Sequence, residues 1–300
     1  MNSVLKSLQP AAPFRVAVII ATKGRPHALA ELLRLLECQS LPLVVVVISA
    51  TVPADVELPM ATRLNMECVY GPPGSTVQRN RGLALISGRA DVAVFFDDDF
   101  APAEDWLEKC AEVFSLEPNI AGANGVLLRD GAQGEPLSWP EARLLIARKG
   151  HDRRTVSRIT DLYGCNMAFR MSAIAELRFD ERLVLYGWLE DKDFSRQAAK
   201  NGDLVQSNFL VGVHLGLQAG RVSGTRYGYS QVVNAWYLYR KGIMPLREAS
   251  LHILKALVAN AAKTVWKQGH IDRRGRLRGN LTGVAHLLSG SCRPERVAQL

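Results

Sequence analysis

The first part of the chain alternates between two kinds of segment. Three short apolar runs have the length of a strand: Val16 to Ala21, Leu43 to Ile48 and Val92 to Phe96. Such near-continuous apolar sequence is typical of strands covered on both faces of a sheet. Ala28 to Glu37 and Thr76 to Ser87 lie between these runs and are amphipathic. Because strands that alternate with helices require crossover connections, the pattern predicts a Rossmann-like α/β fold with a mostly parallel sheet flanked by helices.

The rest of the chain is less regular. Gly, Pro, Arg and Lys from Gly131 to Arg158 predict loops and a short helix outside the sheet. Thr160 to Phe169 and Leu204 to Leu215 resemble further strands, and Glu190 to Lys200 a helix. Beyond Gly228 the predicted elements are all helices: Gln231 to Tyr239, Leu246 to Lys267 and Leu277 to Leu288. We therefore expect an α/β domain over residues 1–229 and a helical region over residues 230–300.

Basic residues concentrate in this helical region. Twelve of the 37 Lys and Arg residues, but three of the 29 Asp and Glu residues, lie between Arg240 and Leu300, which gives +9 there and −1 over the first 239 residues. A basic amphipathic helix such as Leu246 to Lys267 can lie on an anionic membrane surface. It can equally pack on the α/β domain or on a second subunit with its charges solvated. The sequence leaves both possibilities open.

The composition is that of a globular protein, with 48% hydrophobic and 22% charged residues. Five cysteines without a C-x-x-C pair argue against a disulfide framework or a zinc site and favour a reducing compartment. The segment from Met1 to Pro13 resembles neither a signal peptide nor a membrane anchor. The longest apolar run, Leu43 to Ile48, is much shorter than the roughly 20 residues of a spanning helix. We therefore expect a soluble, cytoplasmic protein.

Three consecutive aspartates, Asp97, Asp98 and Asp99, end the apolar run that begins at Val92. The carboxyl edge of an α/β sheet is where such proteins bind their ligands. Carboxylates at this edge predict a hard divalent cation, Mg²⁺ or Mn²⁺, which also bridges to substrate phosphates. Alternatively, Asp99 caps a helix over Pro102 to Phe114. A cap, however, accounts for one aspartate and not for three.

Polar side chains occur at three further ends of predicted elements. Thr22 and Arg25 precede the first helix, whose free N–H groups can bind an anion, although Pro26 also fits a plain turn. Arg79 opens the second helix, and its guanidinium can bind phosphate with two hydrogen bonds. His214 ends the last predicted strand. A lone histidine is usually a core or surface residue, but together with carboxylates it would suit Mn²⁺ or Mg²⁺.

Glu190 and Asp191 form a second acidic cluster, at the start of a predicted helix and after the loop Tyr186 to Leu189. Acidic residues are stabilised at a helix N-terminus by the helix dipole, which is a purely structural explanation. An aspartate beside aromatic residues is also suited to act as a general base towards an acceptor hydroxyl. Trp188 has the flat apolar surface needed to stack on a sugar ring.

The ordered set of these motifs resembles the family 2 inverting glycosyltransferases of the GT-A fold. The resemblance covers roughly residues 15 to 230, a usual size for one domain. It implies that the chain moves a sugar from a nucleoside-diphosphate sugar, UDP-linked by preference, to a hydroxyl of a glycan or lipid-linked acceptor in bacterial surface or exopolysaccharide synthesis. The segments that carry it are Ala21 to Pro26, Gln78 to Gly82, Phe96 to Asp99, Gly164 to Arg170, Trp188 to Asp191, and His214.

The resemblance also implies a role for each matching residue. Asp191 would be the catalytic base and Glu190 would orient the acceptor. Ser49 stands where the family usually has an aspartate that contacts uracil or ribose, which leaves the nucleotide base open. The remaining implied roles are nucleotide contacts (Thr22, Arg25, Arg79), contacts to the ribose and diphosphate (Asp97, Asp98), ligands of Mn²⁺ or Mg²⁺ (Asp99, His214), and the wall next to the acceptor (Gly164, Cys165, Asn166, with Trp188).

Other functions are weaker hypotheses. A sugar-1-phosphate nucleotidyltransferase needs a glycine-rich loop after the first strand, and Ala21 to Pro26 supplies one glycine. A non-catalytic membrane- or nucleic-acid-binding protein would use Arg273 to Arg278, but the acidic clusters would repel a nucleic acid. Gly216 to Gly228 is interpreted as a loop that closes over the donor. The expected location is the cytoplasm, with peripheral attachment to the inner face of the cell membrane as an option.

Overall fold

A computed structural model describes residues 14–59, 61–150, 153–217, 219, 222–265 and 271–300. Within these residues the strands are β1 (Val16–Ala21), β2 (Val45–Ala50), β3 (Met66–Tyr70), β4 (Val92–Asp97), β5 (Phe100–Pro102), β6 (Ile120–Asp130), β7 (Val156–Ile159), β8 (Asn166–Arg170) and β9 (Asp203–His214). The helices are α1 (Pro26–Glu37), α2 (Ser75–Ile86), α3 (Trp106–Leu116), α4 (Trp139–Ala147), α5 (Met171–Ile174), α6 (Glu190–Ala198), α7 (Gly224–Arg240), α8 (Leu246–Val265) and α9 (Arg273–Leu288), with short 3₁₀ turns at Pro53–Asp55 and Pro294–Gln299.

The strands form one mixed, mostly parallel sheet, as the sequence predicts. Its order is β3-β2-β1-β4-β8-β6-β9-β5, and β7 pairs with β9. The first four strands of this order run parallel, whereas β8 runs antiparallel to both of its neighbours. Ala21 of β1 lies in register with Ser49 of β2 and with Asp97 of β4. The carboxyl ends of these three strands are therefore level, and the aspartates begin at that edge.

Alternation along β1 explains why its whole length is apolar. Val16, Val18 and Ile20 pack with α1 and α3 in one buried cluster, whereas Ala17 and Ile19 pack with α2 in another. Both faces of the strand are covered, so no position on it is left for a polar residue. The helix α2 lies so close to β1 that a Cβ at Gly82 would come within 2.4 Å of the Ile19 side chain.

The C-terminal helices pack on one another and on the α/β part. Leu183 and Leu189, which flank the loop before α6, share a buried cluster with Ala235 and Leu238 of α7. Gly279 of α9 lies against the backbone of α7, where a Cβ would meet a carbonyl oxygen at 2.0 Å. The inner faces of these helices therefore pack on the protein, which is one of the two possibilities that the sequence left open for the basic region. The boundary expected at residues 229/230 lies within α7 and stays a prediction.

Three sequence predictions about local structure are wrong. Only the last residues of the predicted strand Thr160 to Phe169 are extended, because the preceding turn is held by Asn124, whose side chain bonds to the backbone N–H and C=O of Tyr163. Val156–Ile159 joins the sheet although Gly131 to Arg158 was expected to lie outside it. The helix expected from Pro102 begins at Trp106, since Pro102 pairs with β9 in β5. Asp99 therefore caps no helix.

Four strands, β3, β5, β6 and β7, have no counterpart in the sequence prediction. The segment Ile120–Asp130 contains Gly122 and Gly125, which weaken the apolar pattern of a strand. The glycine at 125 is required by packing, since a Cβ there would lie 2.4 Å from the carbonyl oxygen of Leu210.

The last predictions concern the loop and the chain ends. The proposed loop Gly216 to Gly228 is in part helical, because α7 starts at Gly224, and residues 218, 220 and 221 lie outside the described ranges. The N-terminal prediction for Met1 to Pro13 also lies outside them. Within the described ranges, every helix is too short or too polar to cross a bilayer.

Candidate active site

A cavity of about 960 Å³ opens at the carboxyl edge of the sheet. Thr22 after β1 and Asp97 at the end of β4 line it, and so do Trp188, Asp191 and His214 from distant parts of the chain. The two acidic clusters and the histidine, separated by up to about 120 positions in sequence, thus face one space. Concave sites of this size with a few convergent polar groups are where ligands bind.

Strand pairing places His214 beside the first acidic cluster. The residue ends β9, where it pairs with Phe100 of β5 and with Asp130 of β6. Its Nε2 atom lies 3.4 Å from Oδ1 of Asp99 and 4.0 Å from Oδ2 of Asp97. One ligand atom from each of Asp97, Asp99 and His214 lies within 4.8 Å of the other two. Sequence reasoning pairs Asp99 with His214 as metal ligands, and the structure adds Asp97.

Asp130 orients the imidazole from its other side. Its Oδ1 atom lies 2.9 Å from Nδ1 of His214 and accepts the backbone N–H of Ala132 at 3.0 Å. The hydroxyl of Tyr163 donates to Oδ2 at 3.1 Å. A carboxylate on Nδ1 is the usual second partner of a metal-binding histidine, because it directs Nε2 towards the ion. The sequence prediction did not include Asp130, since it did not include β6.

The charges in this cluster stabilise one another. Burial lowers the pKa of His214, but the hydrogen bonds and charges of Asp130 and Asp99 outweigh it and raise that pKa to about 10. Burial raises the pKa of Asp99, and here its hydrogen bond with His214 and the charge of Arg25 prevail, so the pKa lies below its usual value. A divalent ion on Nε2 would take the place of the proton that this raised pKa holds on His214, because a histidine ligand is neutral.

The donor set fits a hard divalent cation. Two carboxylates and one imidazole suit Mn²⁺ or Mg²⁺, and the carboxylate of Asp97 is one-third exposed to the cavity. The orientation of His214 by Asp130 supplies the second support that such sites need. Asp97, Asp99 and His214 would hold the ion.

Asp98 is buried beside Arg25 and is not exposed to the cavity. Its carboxylate is fully buried, accepts the Thr22 hydroxyl at 2.7 Å and pairs with Arg25 at 2.7 Å. Burial raises the pKa of Asp98 to about 7, against the charge of Arg25. Arg25 also pairs with Asp99 at 3.1 Å. These contacts fix the turn from Asp97 to Asp99, and neither Asp98 nor Asp99 is among the residues that line the cavity.

Arg79 joins the two acidic clusters. Its Nη2 donates to Oδ1 of Asp97 at 3.0 Å and to the carbonyl of Gly164 at 3.1 Å, and its Nη1 donates to Glu190. The guanidinium is buried, yet its pKa is raised by the charges of Glu190 and Asp97. Burial raises the pKa of Glu190 to about 8, against the opposite effect of Arg79. Both residues line the cavity, and each already has a partner there.

Asp191 lies in the first turn of α6, where backbone groups hold its carboxylate. Oδ2 accepts the N–H of Gly164 at 3.0 Å and Oδ1 accepts the N–H of Lys192 at 2.8 Å. Burial raises its pKa. Leu185 and Leu189 in the preceding loop have left-handed backbone conformations, with φ of 61° and 71°, which costs about 1–3 kcal/mol each. Burial of Leu189 in the core offsets part of that cost.

Three aromatic rings line the cavity beside Asp191. Tyr186 and Trp188 lie nearly parallel, with centroids 6.5 Å apart, and Tyr227 of α7 is 5.1 Å from Trp188. The carbonyl of Trp188 accepts a hydrogen bond from Asn234 at 2.8 Å, which fixes this loop to α7. Sequence reasoning singles out Trp188 alone, because Tyr227 belongs to a helix outside the motifs.

The remaining candidate residues divide into two groups. Gly164 and Cys165 line the cavity, as does Lys23, which sequence reasoning does not assign. Ser49 and Asn166 are buried and are not among the lining residues. The Ser49 hydroxyl accepts Nε of Arg81 at 3.3 Å, and Asn166 accepts from Asn124 at 2.7 Å. The proposed contacts of Ser49 and Asn166 with substrate stay predictions.

Solved structures with a similar fold are distant in sequence. The mannosyltransferase PcManGT from Pyrobaculum calidifontis, in complex with GDP-Man and Mn²⁺, is 17% identical, with a TM-score of 0.52 over 98% of this chain and 89% of that chain. S. aureus TarS is 16% identical, with a TM-score of 0.49 over 84% of this chain. The chain spans 44% of the length of TarS. A search of curated proteins gave no match.

The family comparison covers most of the sheet and the first acidic cluster. The model of Glycosyl transferase family 2 matches residues 17–178, more than half of the 300 residues. This range contains β1 to β8, the three aspartates and Arg79. The chain therefore belongs to glycosyl transferase family 2.

Proposed function

We propose that the protein is an inverting, metal-dependent glycosyltransferase that moves a sugar from a nucleoside-diphosphate sugar to an acceptor hydroxyl. One observation carries the proposal: the carboxylate of Asp191 lines the same cavity as Asp97 and His214, and Asp99 lies within ligand distance of both of these residues. A base and a cation site on one space are what direct displacement of a diphosphate requires. PcManGT, which shares the fold, was solved with GDP-Man and Mn²⁺, and we propose the same classes of ligand here.

The cation site defines the donor end of the cavity. A divalent ion held by Asp97, Asp99 and His214 would stabilise negative charge on the diphosphate. Lys23 lines this end and forms no ion pair with any other described residue. Arg25 and Arg79 are engaged with carboxylates. We therefore assign the direct phosphate contact to Lys23 and a supporting role to the two arginines. The proposed preference for UDP rests on the sequence resemblance.

Asp191 performs the proton transfer in this proposal. Its carboxylate removes the proton of the acceptor hydroxyl, and the oxygen forms a bond to the anomeric carbon. The bond from that carbon to the diphosphate oxygen breaks, and its electron pair leaves with the nucleoside diphosphate. Attack from the face opposite the leaving group inverts the configuration. A raised pKa makes Asp191 a stronger base than an exposed aspartate.

The acceptor end contains the aromatic rings. Tyr186, Trp188 and Tyr227 present flat apolar surface beside Asp191, which suits the apolar face of a pyranose ring. We propose a glycan or a lipid-linked sugar as the acceptor, in bacterial surface polysaccharide synthesis. The proposed location is the cytoplasm, on the inner face of the cell membrane.

Two experiments test the proposal in sequence. Thermal stabilisation by UDP, GDP and their sugars, with and without Mn²⁺, identifies the donor, because a ligand of the native state raises the melting temperature. Absence of Mn²⁺-dependent stabilisation by every compound would contradict the donor site. With the donor known, the Asp191→Asn variant is expected to lower transfer to glycan acceptors by about 10²–10⁴-fold and to keep the nucleotide affinity.

The control for Asp191→Asn is the isosteric change Asp105→Asn, at a residue whose side chain is 44% exposed and does not line the cavity. It should leave transfer and nucleotide binding unchanged. Product configuration, measured by NMR of the anomeric proton, tests inversion separately. A near-wild-type rate for Asp191→Asn would remove this residue from the role of the base, and retention of configuration would refute direct displacement.

A further inference from the structure

The helix α8 carries apolar residues on two opposite sides. On the inner side Ala249 and Ala256 are buried, and Ile253 packs on the cluster that contains Leu238. On the outer side Leu251, Leu254 and Val258 are 44%, 56% and 58% exposed. Their spacing of three and four residues places them on one face of the helix. An apolar stripe on the solvent side of a helix that is already packed on its inner side marks a contact surface.

The helix α9 repeats this arrangement. Its inner side, with Gly279 and Gly283, packs closely on α7. Its outer side carries four residues at helical spacing: Arg274, Arg278, Leu281 and Leu288. The two leucines are 58% and 80% exposed. The outer side of α9 thus combines cations with large apolar side chains.

The exposed charge around both stripes is positive. Five exposed cations lie on these two helices: Arg247, Lys255 and Lys263 on α8, and Arg274 and Arg278 on α9. None of the five forms an ion pair with another described residue. The acidic residues of the region are engaged with groups of the protein: Glu248 binds Lys192 and Arg196, Asp272 caps α9, and Glu295 binds Arg182. The outer side therefore presents apolar residues together with cations that have no counter-ion among the described residues.

This combination decides between the possible occupants. A second copy of the chain would place the same cations opposite one another, because a symmetric dimer uses the same patch on both subunits. An anionic bilayer accepts both components, since apolar side chains insert below the headgroups and cations stay at their level. We propose that the outer sides of α8 and α9 form a docking surface for an anionic lipid bilayer. This docking surface is defined by Leu251, Leu254, Val258, Leu281 and Leu288.

The docking surface is connected to the active site through α8. His252 of this helix lines the cavity. Glu248, one turn earlier, pairs with Lys192 and Arg196 of α6, the helix that carries Asp191. Docking thus holds the acceptor end of the cavity close to the bilayer, where a sugar on a lipid carrier would be found. Only this last step, the identity of the acceptor, rests on the proposed function.

The test is co-sedimentation of the full chain with vesicles of phosphatidylcholine, either alone or with phosphatidylglycerol added. The wild type is expected to bind the anionic vesicles and to leave the neutral ones. The variant Leu251→Ser/Leu254→Ser/Val258→Ser should weaken binding by about tenfold or more. Arg247→Gln and Lys255→Gln should each weaken it by about fivefold, the equivalent of about 1 kcal/mol per charge. High salt should reduce binding in all of them.

A matched control replaces three equally exposed apolar residues elsewhere, as Val52→Ser/Leu116→Ser/Leu144→Ser; these are 50%, 55% and 48% exposed. It should bind vesicles as the wild type does, and circular dichroism with melting curves should show both triple variants folded. Equal binding by the α8 variant and the wild type, or equal binding of the wild type to neutral and anionic vesicles, would overturn the proposal. So would light scattering that shows a dimer in the wild type and a monomer in the α8 variant.

These assays contain neither donor nor acceptor, so their outcome is independent of catalysis. A protein that binds anionic vesicles but transfers no sugar would refute the proposed function and keep the docking surface. A protein that transfers sugar to soluble glycans without binding vesicles would do the reverse.

Discussion

Replacement of Arg79 by methionine separates two roles for this residue. The resemblance implies a nucleotide contact, whereas the structure shows a buried bridge between Glu190, Asp97 and the carbonyl of Gly164. Methionine keeps the length of the side chain and removes the charge. If Arg79 is the bridge, the Arg79→Met variant loses stability without any nucleotide present. If it is a nucleotide contact, the variant loses affinity and keeps its stability.

The size of the effect follows from burial. The side chains of Arg79 and Glu190 are 5% and 9% exposed, and removal of one partner of a buried ion pair costs about 3–5 kcal/mol. Asp97 is 33% exposed, so water replaces its lost partner in part. We therefore expect a loss of about 3 kcal/mol in the free energy of unfolding at pH 8. Urea unfolding followed by circular dichroism measures it.

The loss should depend on pH. The pKa of Glu190 is raised above its unfolded value in the wild type, and the loss of Arg79 raises it further. An acid whose folded pKa exceeds its unfolded value binds more protons in the native state, so stability falls as pH rises above about 4.5. Both native proteins keep Glu190 protonated up to about pH 8, so the destabilisation by Arg79→Met should be nearly constant from pH 5 to pH 7 and should grow above pH 8, where only the wild type ionises Glu190. Protonated Glu190 needs no cationic partner.

Two further variants complete the test. Arg79→Met/Glu190→Gln should cost less than the sum of its single changes, because no buried charge is left alone. Arg81→Met is the matched control on the same helix, since its guanidinium bonds to a hydroxyl and a carbonyl rather than to carboxylates; we expect a cost of about 1 kcal/mol. An Arg79→Met variant as stable as the wild type, or strict additivity in the double variant, would refute the bridge.

Three shorter predictions address other parts of the structure. Asp130→Asn should weaken Mn²⁺ binding by about 10–100-fold, measured by electron paramagnetic resonance titration, because the imidazole loses its orienting carboxylate; unchanged affinity would exclude this role. Burial raises the pKa of Glu248, but its hydrogen bonds with Arg196 and Lys192 outweigh burial and lower that pKa from 4.5 to about 2. The stability that the ionised carboxylate contributes above pH 4.5 is therefore lost as the pH falls towards 2. Acid unfolding of Glu248→Gln should be flatter across that window. Gly125→Ala should cost about 1–3 kcal/mol in urea unfolding, since its Cβ would lie 2.4 Å from a carbonyl oxygen of β9. Gly134→Ala should be neutral, because its Cβ would lie at an ordinary contact distance of 3.8 Å from the carbonyl oxygen of Asp130.

The central strands could be predicted because their burial is complete. The predicted strands at Val16, Leu43 and Val92 correspond to β1, β2 and β4, with shifts of at most two residues at their starts. Strands covered on both faces need apolar residues at every position, which leaves a visible run in the sequence. The strands β3 and β7 leave no such run, because they are only partly buried. In β6, glycines required by close packing hide the pattern.

The sequence by itself determined which chemical groups this protein brings to the carboxyl edge of its sheet: a run of aspartates after β4, a histidine at the end of β9 and an acidic pair at the start of α6. Local pattern suffices for this, because strand ends and helix starts are fixed by neighbouring residues. Which groups face one another was decided only by the tertiary structure. Strand pairing placed Asp130 next to His214. Asp98 is fully buried, and Arg79 is buried between Glu190 and Asp97, with which it forms ion pairs. Register and burial depend on residues far apart in the chain, which no local pattern contains.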